Sequence, residues 1–223
     1  MQDNTNKFIT WLESDLTHFV ALVEEGSTVS GDPIQKGFSD HDLTIVVRED
    51  VENEMKAVYN WLLKNPFDDT YLFGPRLEKE FLIGNTINDL SLKFRSKTIA
   101  GREVVGEKIL PDREQALQIG IEGLKGLTIR CERRRLNLAH WTESYAQEKN
   151  YEIFKNFFVL SAAKFYGESG VYPVRRLDVI ERFDNKELAL NVLQVVNNIG
   201  MATKHQQKQA FESMIKIINK ETG

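Results

Sequence analysis

Apolar positions recur at helical spacing near the N-terminus, where Phe8, Ile9, Trp11, Leu12 and Leu16 share one side of a segment that Asn4 or Thr5 can cap. Phe19-Val20-Ala21-Leu22-Val23 is continuous, apolar and short, so it reads as a buried strand ending at Gly26. Asp42 to Val47 reads as a second strand of the same sheet, and Arg48-Glu49-Asp50 leads into a helix carried by Val51, Met55, Val58, Tyr59, Trp61 and Leu62. Asn65-Pro66 stops that helix, because a residue before proline is driven out of the helical region. Residues 70 to 74 and 78 to 83 read as two further strands separated by Gly74-Pro75. In residues 87 to 94, Leu90, Leu92 and Phe94 alternate with Asp89 and Ser91, the pattern of a half-buried strand.

Beyond Pro111 the strand signals give way to long helical periodicity. One helix spans residues 112 to 126 and carries Gly120, Gly123 and Gly126 one turn apart, at a cost of about 1 kcal/mol each relative to alanine. Close helix packing is the simplest reason for three such residues. A second helix, about 128 to 147, brings Glu132, His140 and Glu143 roughly onto one face, with Arg130, Arg133 and Arg134 beside them. Phe154, Phe157, Phe158, Leu160, Phe165 and Tyr166 form an aromatic core helix, a further helix opens near Pro173, and residues 186 to 199 and 203 to 220 supply two more. The expected fold class is α+β. An N-terminal mixed β-sheet domain with flanking helices covers residues 1 to 110, and an all-α helical bundle covers 111 to 223.

The chain has 223 residues, of which 41% are hydrophobic, enough for a sizeable core. A net charge of -4 argues against a general nucleic-acid binder, whose affinity comes from basic side chains on phosphates. The single cysteine, Cys131, excludes an intramolecular disulfide and a multi-cysteine zinc site, and its helical setting suits a packed thiol. No secretory signal or membrane-length apolar run is present, so a cytoplasmic protein is expected; a homodimer is compatible with the sequence.

The chemistry-bearing stretch runs from Gly26-Ser27 to Ser39-Asp40-His41-Asp42-Leu43. Alternate residues of a strand project to one face, so Asp40 and Asp42 point the same way. Paired carboxylates are hard oxygen donors suited to magnesium, and a glycine turn can offer backbone amides to phosphates. This stretch resembles the signature of the nucleotidyltransferase superfamily typified by DNA polymerase beta, in its small-molecule, antibiotic-modifying and minimal branches: an apolar strand end, Gly-Ser, a loop, then Asp-x-Asp in an apolar strand. His41 stands where an apolar residue is more usual and would face away from the metal, and Glu24-Glu25 add negative charge before the glycine. The resemblance covers roughly residues 16 to 107.

The resemblance implies transfer of a nucleoside monophosphate from ATP or another nucleoside triphosphate to a hydroxyl of a small molecule, such as an aminoglycoside-like or lincosamide-like antibiotic. Asp40 and Asp42 would hold Mg2+, with Asp89 as the third carboxylate from a later strand, and Gly26, Ser27 and Ser39 would hold the donor nucleotide. The general base would be Asp89, or Glu132 or Glu143 if the helical domain covers the open face of the sheet. Arg135 and His140 also match a short spacing found in helical domains that accompany minimal nucleotidyltransferases. Two rivals stay open: a non-catalytic nucleotide-binding or toxin-neutralising module of the same fold, and nucleotidyl transfer to a protein or nucleic-acid acceptor.

Overall fold

A computed structural model describes residues 2–33, 41–66, 70–84 and 86–223. In chain order the elements of the first part are α1 (Gln2–Asp15), β1 (Phe19–Glu25), α2 (Ser27–Ser30), β2 (His41–Val47), α3 (Val51–Lys64), β3 (Thr70–Leu77), α4 (Glu78–Leu82), α5 (Ile87–Phe94) and β4 (Ser96–Gly101). The second part is helical: α6 (Arg113–Asn137), a 3-10 turn Leu138–His140, α7 (Glu143–Ser169), α8 (Arg176–Ile180), α9 (Lys186–Asn197), a 3-10 turn Ile199–Met201 and α10 (Lys204–Thr222). The described residues fall into two compact units. One takes those up to Gly31 and from His41 to Leu110; the other takes Asp32, Pro33 and Pro111–Gly223.

The first unit is built on a mixed sheet of order β3-β2-β1-β4, with β1 antiparallel to both neighbours and β2 parallel to β3. Strand alternation gives the sheet two unlike faces. Leu22, Leu43, Ile45 and Val47 face α1 and α3, where Phe8, Leu12, Leu16 and Val58 complete a buried core. Val23 and Val46 lie on the opposite face, packed with Phe81, Leu92, Val104 and Val105. Among the described residues the apolar cluster of that second layer stops short of Glu25 and Asp42, so the polar side chains Glu25, Asp42 and Thr44 take that end of the face.

Three expected elements come out differently. Residues 78 to 83 are not a strand: β3 runs through Gly74-Pro75 to Leu77 and α4 follows. β3 is an edge strand, and its register skips a residue between Thr44 and Val46 of β2, so the missing proline donor breaks no regular ladder. Residues 87 to 94 are the helix α5, not a strand. Thr86 caps it, accepting from the Asp89 amide while Asp89 accepts from the Thr86 amide, and this reciprocal cap outweighs the alternating pattern of Leu90, Leu92 and Phe94.

The third difference lies in the helical unit, where the two helices expected over 112 to 147 are one 25-residue helix, α6, followed by the 3-10 turn. α6 packs along α7 at glycine contacts. A Cβ on Gly120 would stand 2.5 Å from the Lys164 backbone nitrogen, and one on Gly123 would stand 2.1 Å from Leu160 Cδ2. Gly126 meets nothing within 4 Å, so packing accounts for two of the three glycines. Phe154 stacks on Phe211 of α10 at 4.7 Å, and Phe157 on Phe183 at 5.5 Å. Buried Asp32 accepts a 2.9 Å hydrogen bond from the Arg176 amide of the same unit. Cys131 is buried in α6 and burial pushes its thiol up to about 12, which makes it a core residue and no nucleophile.

Candidate functional site

At the Glu25–Asp42 end of the sheet β1 runs into Gly26, whose φ of +83° is a region open to glycine and strained for other residues. A side chain there would also stand 3.2 Å from Oδ2 of Asp42, so the turn passes close over that carboxylate. The amide of Gly26 is committed to the Arg95 carbonyl at 3.0 Å, and its carbonyl accepts from Val29 and Ser30. The Ser27 and Thr28 amides stand in the first turn of α2, where a helix start leaves backbone amides without an intrahelical acceptor. Arg95 also reaches α2 through a 3.0 Å hydrogen bond to Ser30 Oγ.

Asp42, the second residue of β2, is half-buried and paired in register with Glu25 of β1. Period-two alternation puts Asp42, Thr44 and Glu25 on one face. The buried Thr44 hydroxyl donates to Glu25 Oε1. Burial is the largest influence on Glu25 and pushes its carboxyl up; the Thr44 bond pulls it down, the Asp42 charge pushes it up, and Arg76 and Lys108 pull it down. The balance leaves it at about 7 instead of 4.5, so the proton is held near neutral pH. Glu24 points to the other face, where Lys97 pairs with it at 2.7 Å. Only one of the two glutamates therefore adds to the site. Sequence reasoning weighed this pair as a nuisance, although Glu25 sits two residues beyond Val23 on the face that carries Asp42.

Ser39 and Asp40, expected beside Asp42, lie outside the described residues, as does the His41 side chain. Asp89, expected on a strand as the third carboxylate, is the capping residue of α5, buried, with its acceptors occupied. It takes the Thr86 amide at 3.0 Å and hydroxyl at 2.7 Å, and pairs with the fully buried Lys108 ammonium at 2.8 Å. Burial raises its carboxyl, but the Lys108 and Thr86 hydrogen bonds outweigh that and hold it below the usual range. Lys108 in turn donates to the Phe81 carbonyl.

Glu132 and Glu143 do not share a helix face: Glu132 is on α6, the 3-10 turn holds His140, and Glu143 is the first residue of α7. Glu132 pairs with Arg135 at 2.8 Å on its own helix, which spends the charge locally. Arg134 stacks over Trp141 at 5.0 Å. Among the described residues no cluster of three or more histidine, cysteine or acidic side chains forms a ready metal cage, and no helix is long and apolar enough to cross a membrane.

No family model matches the chain, and no curated protein does. Among solved structures it is similar to spectinomycin adenyltransferase AAD(9) from Enterococcus faecialis, determined with ATP and spectinomycin. That likeness covers 100% of both chains with a TM-score of 0.57 at 12% sequence identity. The likeness is one of fold: the chain shares the fold of AAD(9). The α+β architecture, a mixed sheet with flanking helices followed by an all-helical part, follows AAD(9) from end to end.

Proposed function

We propose that this protein transfers a nucleoside monophosphate from a nucleoside triphosphate, ATP in the first instance, to a hydroxyl of a small molecule. One juxtaposition carries the reading: the Asp42 carboxylate lies directly under the positive-φ turn at Gly26, on a fold whose solved neighbour holds ATP and spectinomycin. The donor chemistry fits magnesium, since the Asp42 carboxylate offers hard oxygen directly beneath the turn. Asp42 and Asp40 would hold the ion, with Glu25 next to them. A divalent cation there would neutralise charge on phosphoryl oxygens.

Each residue of this chain then has a task. The Ser27 and Thr28 amides and the Ser27 hydroxyl bind the phosphates at the turn, with Ser39 a further donor-side ligand. Glu25, in register with Asp42 on the same face and oriented by the Thr44 hydroxyl, takes the proton of the attacking hydroxyl. Asp89 is assigned the structural task of holding Lys108 and the start of α5, not the third carboxylate position.

The assay is pyrophosphate release with magnesium and each of the four nucleoside triphosphates over a panel of hydroxylated small molecules that includes spectinomycin, aminoglycosides and lincosamides. Release that needs an acceptor, and that falls at least a hundredfold in Asp42→Asn without loss of folding, is the expected outcome. The sequestration of Asp89 favours one rival, a non-catalytic nucleotide-binding module. Magnesium-dependent nucleotide binding without pyrophosphate release in the presence of any acceptor would decide for that rival.

A further inference from the structure

β3 is an edge strand, yet its start presents two large aromatic side chains to solvent. Tyr71 is 54% exposed and Phe73 is 41% exposed. Leu72 between them points to the opposite face and packs against the α1–α3 core. The two rings meet edge to face, with centroids 4.8 Å apart and planes at 68°. Register fixes where they stand: Tyr71 is beside Asp42 and Phe73 beside Thr44, so both are on the face that carries Asp42 and Glu25. Edge strands ordinarily show charged or short polar side chains to water, which discourages strand-on-strand association. Exposed aromatics next to a carboxylate site therefore need a reason other than folding.

We propose that Tyr71 and Phe73 form the acceptor subsite, a ledge that holds the ring of a cyclic hydroxylated compound by its C–H or π face while one hydroxyl points at Asp42. The proposal rests on the nucleotidyl-transfer reading and adds the side from which the acceptor comes. β2 lies between β1 and β3, so Asp42 has the Gly26 turn on one flank and Tyr71 on the other. The turn is fastened on the β1 and β4 side, by the Gly26 amide on Arg95 and by Arg95 on Ser30. Displacement at phosphorus is in line, with attacking and leaving oxygens on opposite sides. The acceptor oxygen forms its bond to the α-phosphorus as the bond to the bridging oxygen breaks. Pyrophosphate leaves with that electron pair toward Ser27, and the hydroxyl proton goes to a neighbouring carboxylate. The acceptor then approaches from the β3 flank, where Tyr71 and Phe73 are exposed among the described residues. An aromatic pair selects a ring with an apolar face, since contact with the faces and edges of Tyr71 and Phe73 asks for no particular polar group.

The test uses the full chain loaded with magnesium and a non-hydrolysable ATP analogue, titrated calorimetrically with spectinomycin, kanamycin, lincomycin and myo-inositol. At least one probe should bind the wild type. Tyr71→Ala and Phe73→Ala should each weaken that probe tenfold or more while leaving the nucleotide Kd within twofold, and Tyr71→Phe should restore binding. Three results overturn the ledge: none of the probes binds the loaded wild type, the alanine variants bind the probe as the wild type does, or they lose nucleotide instead, which would make the ledge a nucleobase platform. A wild-type chain that takes no magnesium nucleotide refutes the nucleotidyl-transfer reading instead. The ledge is then judged by the same titrations without nucleotide, where equal probe binding by wild type and variants refutes it.

Discussion

Replacing Glu25 by glutamine separates the fold's need for this position from its chemistry. The carboxyl titrates at about 7 in the folded chain against 4.5 when unperturbed, with burial the leading cause. A folded value above the unfolded one means that the native state binds the proton more tightly, so this stability is complete below about pH 4.5 and lost as pH rises to 7. At about 1.36 kcal/mol per pH unit the full difference is roughly 3 kcal/mol, and partial solvent contact lowers the expected effect to about 1–3 kcal/mol. Glutamine keeps an oxygen for the Thr44 hydroxyl and cannot ionise, so Glu25→Gln should be more stable than its parent by that amount at pH 8 and nearly equal at pH 4.5. Urea unfolding in EDTA reads this out. In a Trp141→Phe background the remaining tryptophans, Trp11 and Trp61, stack at 5.7 Å in the sheet unit and report on it alone. The same pH dependence in variant and parent, or a less stable variant at pH 8, would refute the reasoning.

Two further perturbations test the scaffold. Asp89→Ala leaves the ammonium of Lys108 buried without its carboxylate and removes the α5 cap, so chemical denaturation should show a loss of about 3–5 kcal/mol, whereas an exposed catalytic carboxylate would cost little. Gly120→Ala should destabilise by about 1–3 kcal/mol through its clash with the Lys164 backbone, while Gly126→Ala, which meets nothing within 4 Å, should stabilise by about 1 kcal/mol in thermal unfolding.

The strands that carry the site were legible because their patterns are unambiguous: Phe19–Glu25 and His41–Val47 are short, apolar and bounded by turn residues. The Gly-Ser turn and Asp42 could be placed for the same reason. Asp89 was misplaced because eight residues of alternating polarity fit a strand as well as about two turns of helix, and only the Thr86–Asp89 cap distinguishes them. The α6 boundary was misplaced because Gly126 looks like a stop when nothing in the sequence says that Gly120 and Gly123 are there to admit α7. Glu25 and Tyr71 were passed over for a further reason. The roles proposed for them rest on register with Asp42, and pairing between strands is a tertiary fact that periodicity within one strand does not contain.

The central claim is that Asp42 and the Gly26 turn together make a magnesium–triphosphate site. Calorimetric titration of the full chain with a non-hydrolysable ATP analogue, with and without magnesium, tests it most directly, with Asp42→Asn run in parallel. Binding that requires magnesium and disappears in a folded Asp42→Asn variant is the result expected. Nucleotide affinity that is absent, or that is equal in the two proteins and indifferent to magnesium, would contradict the account.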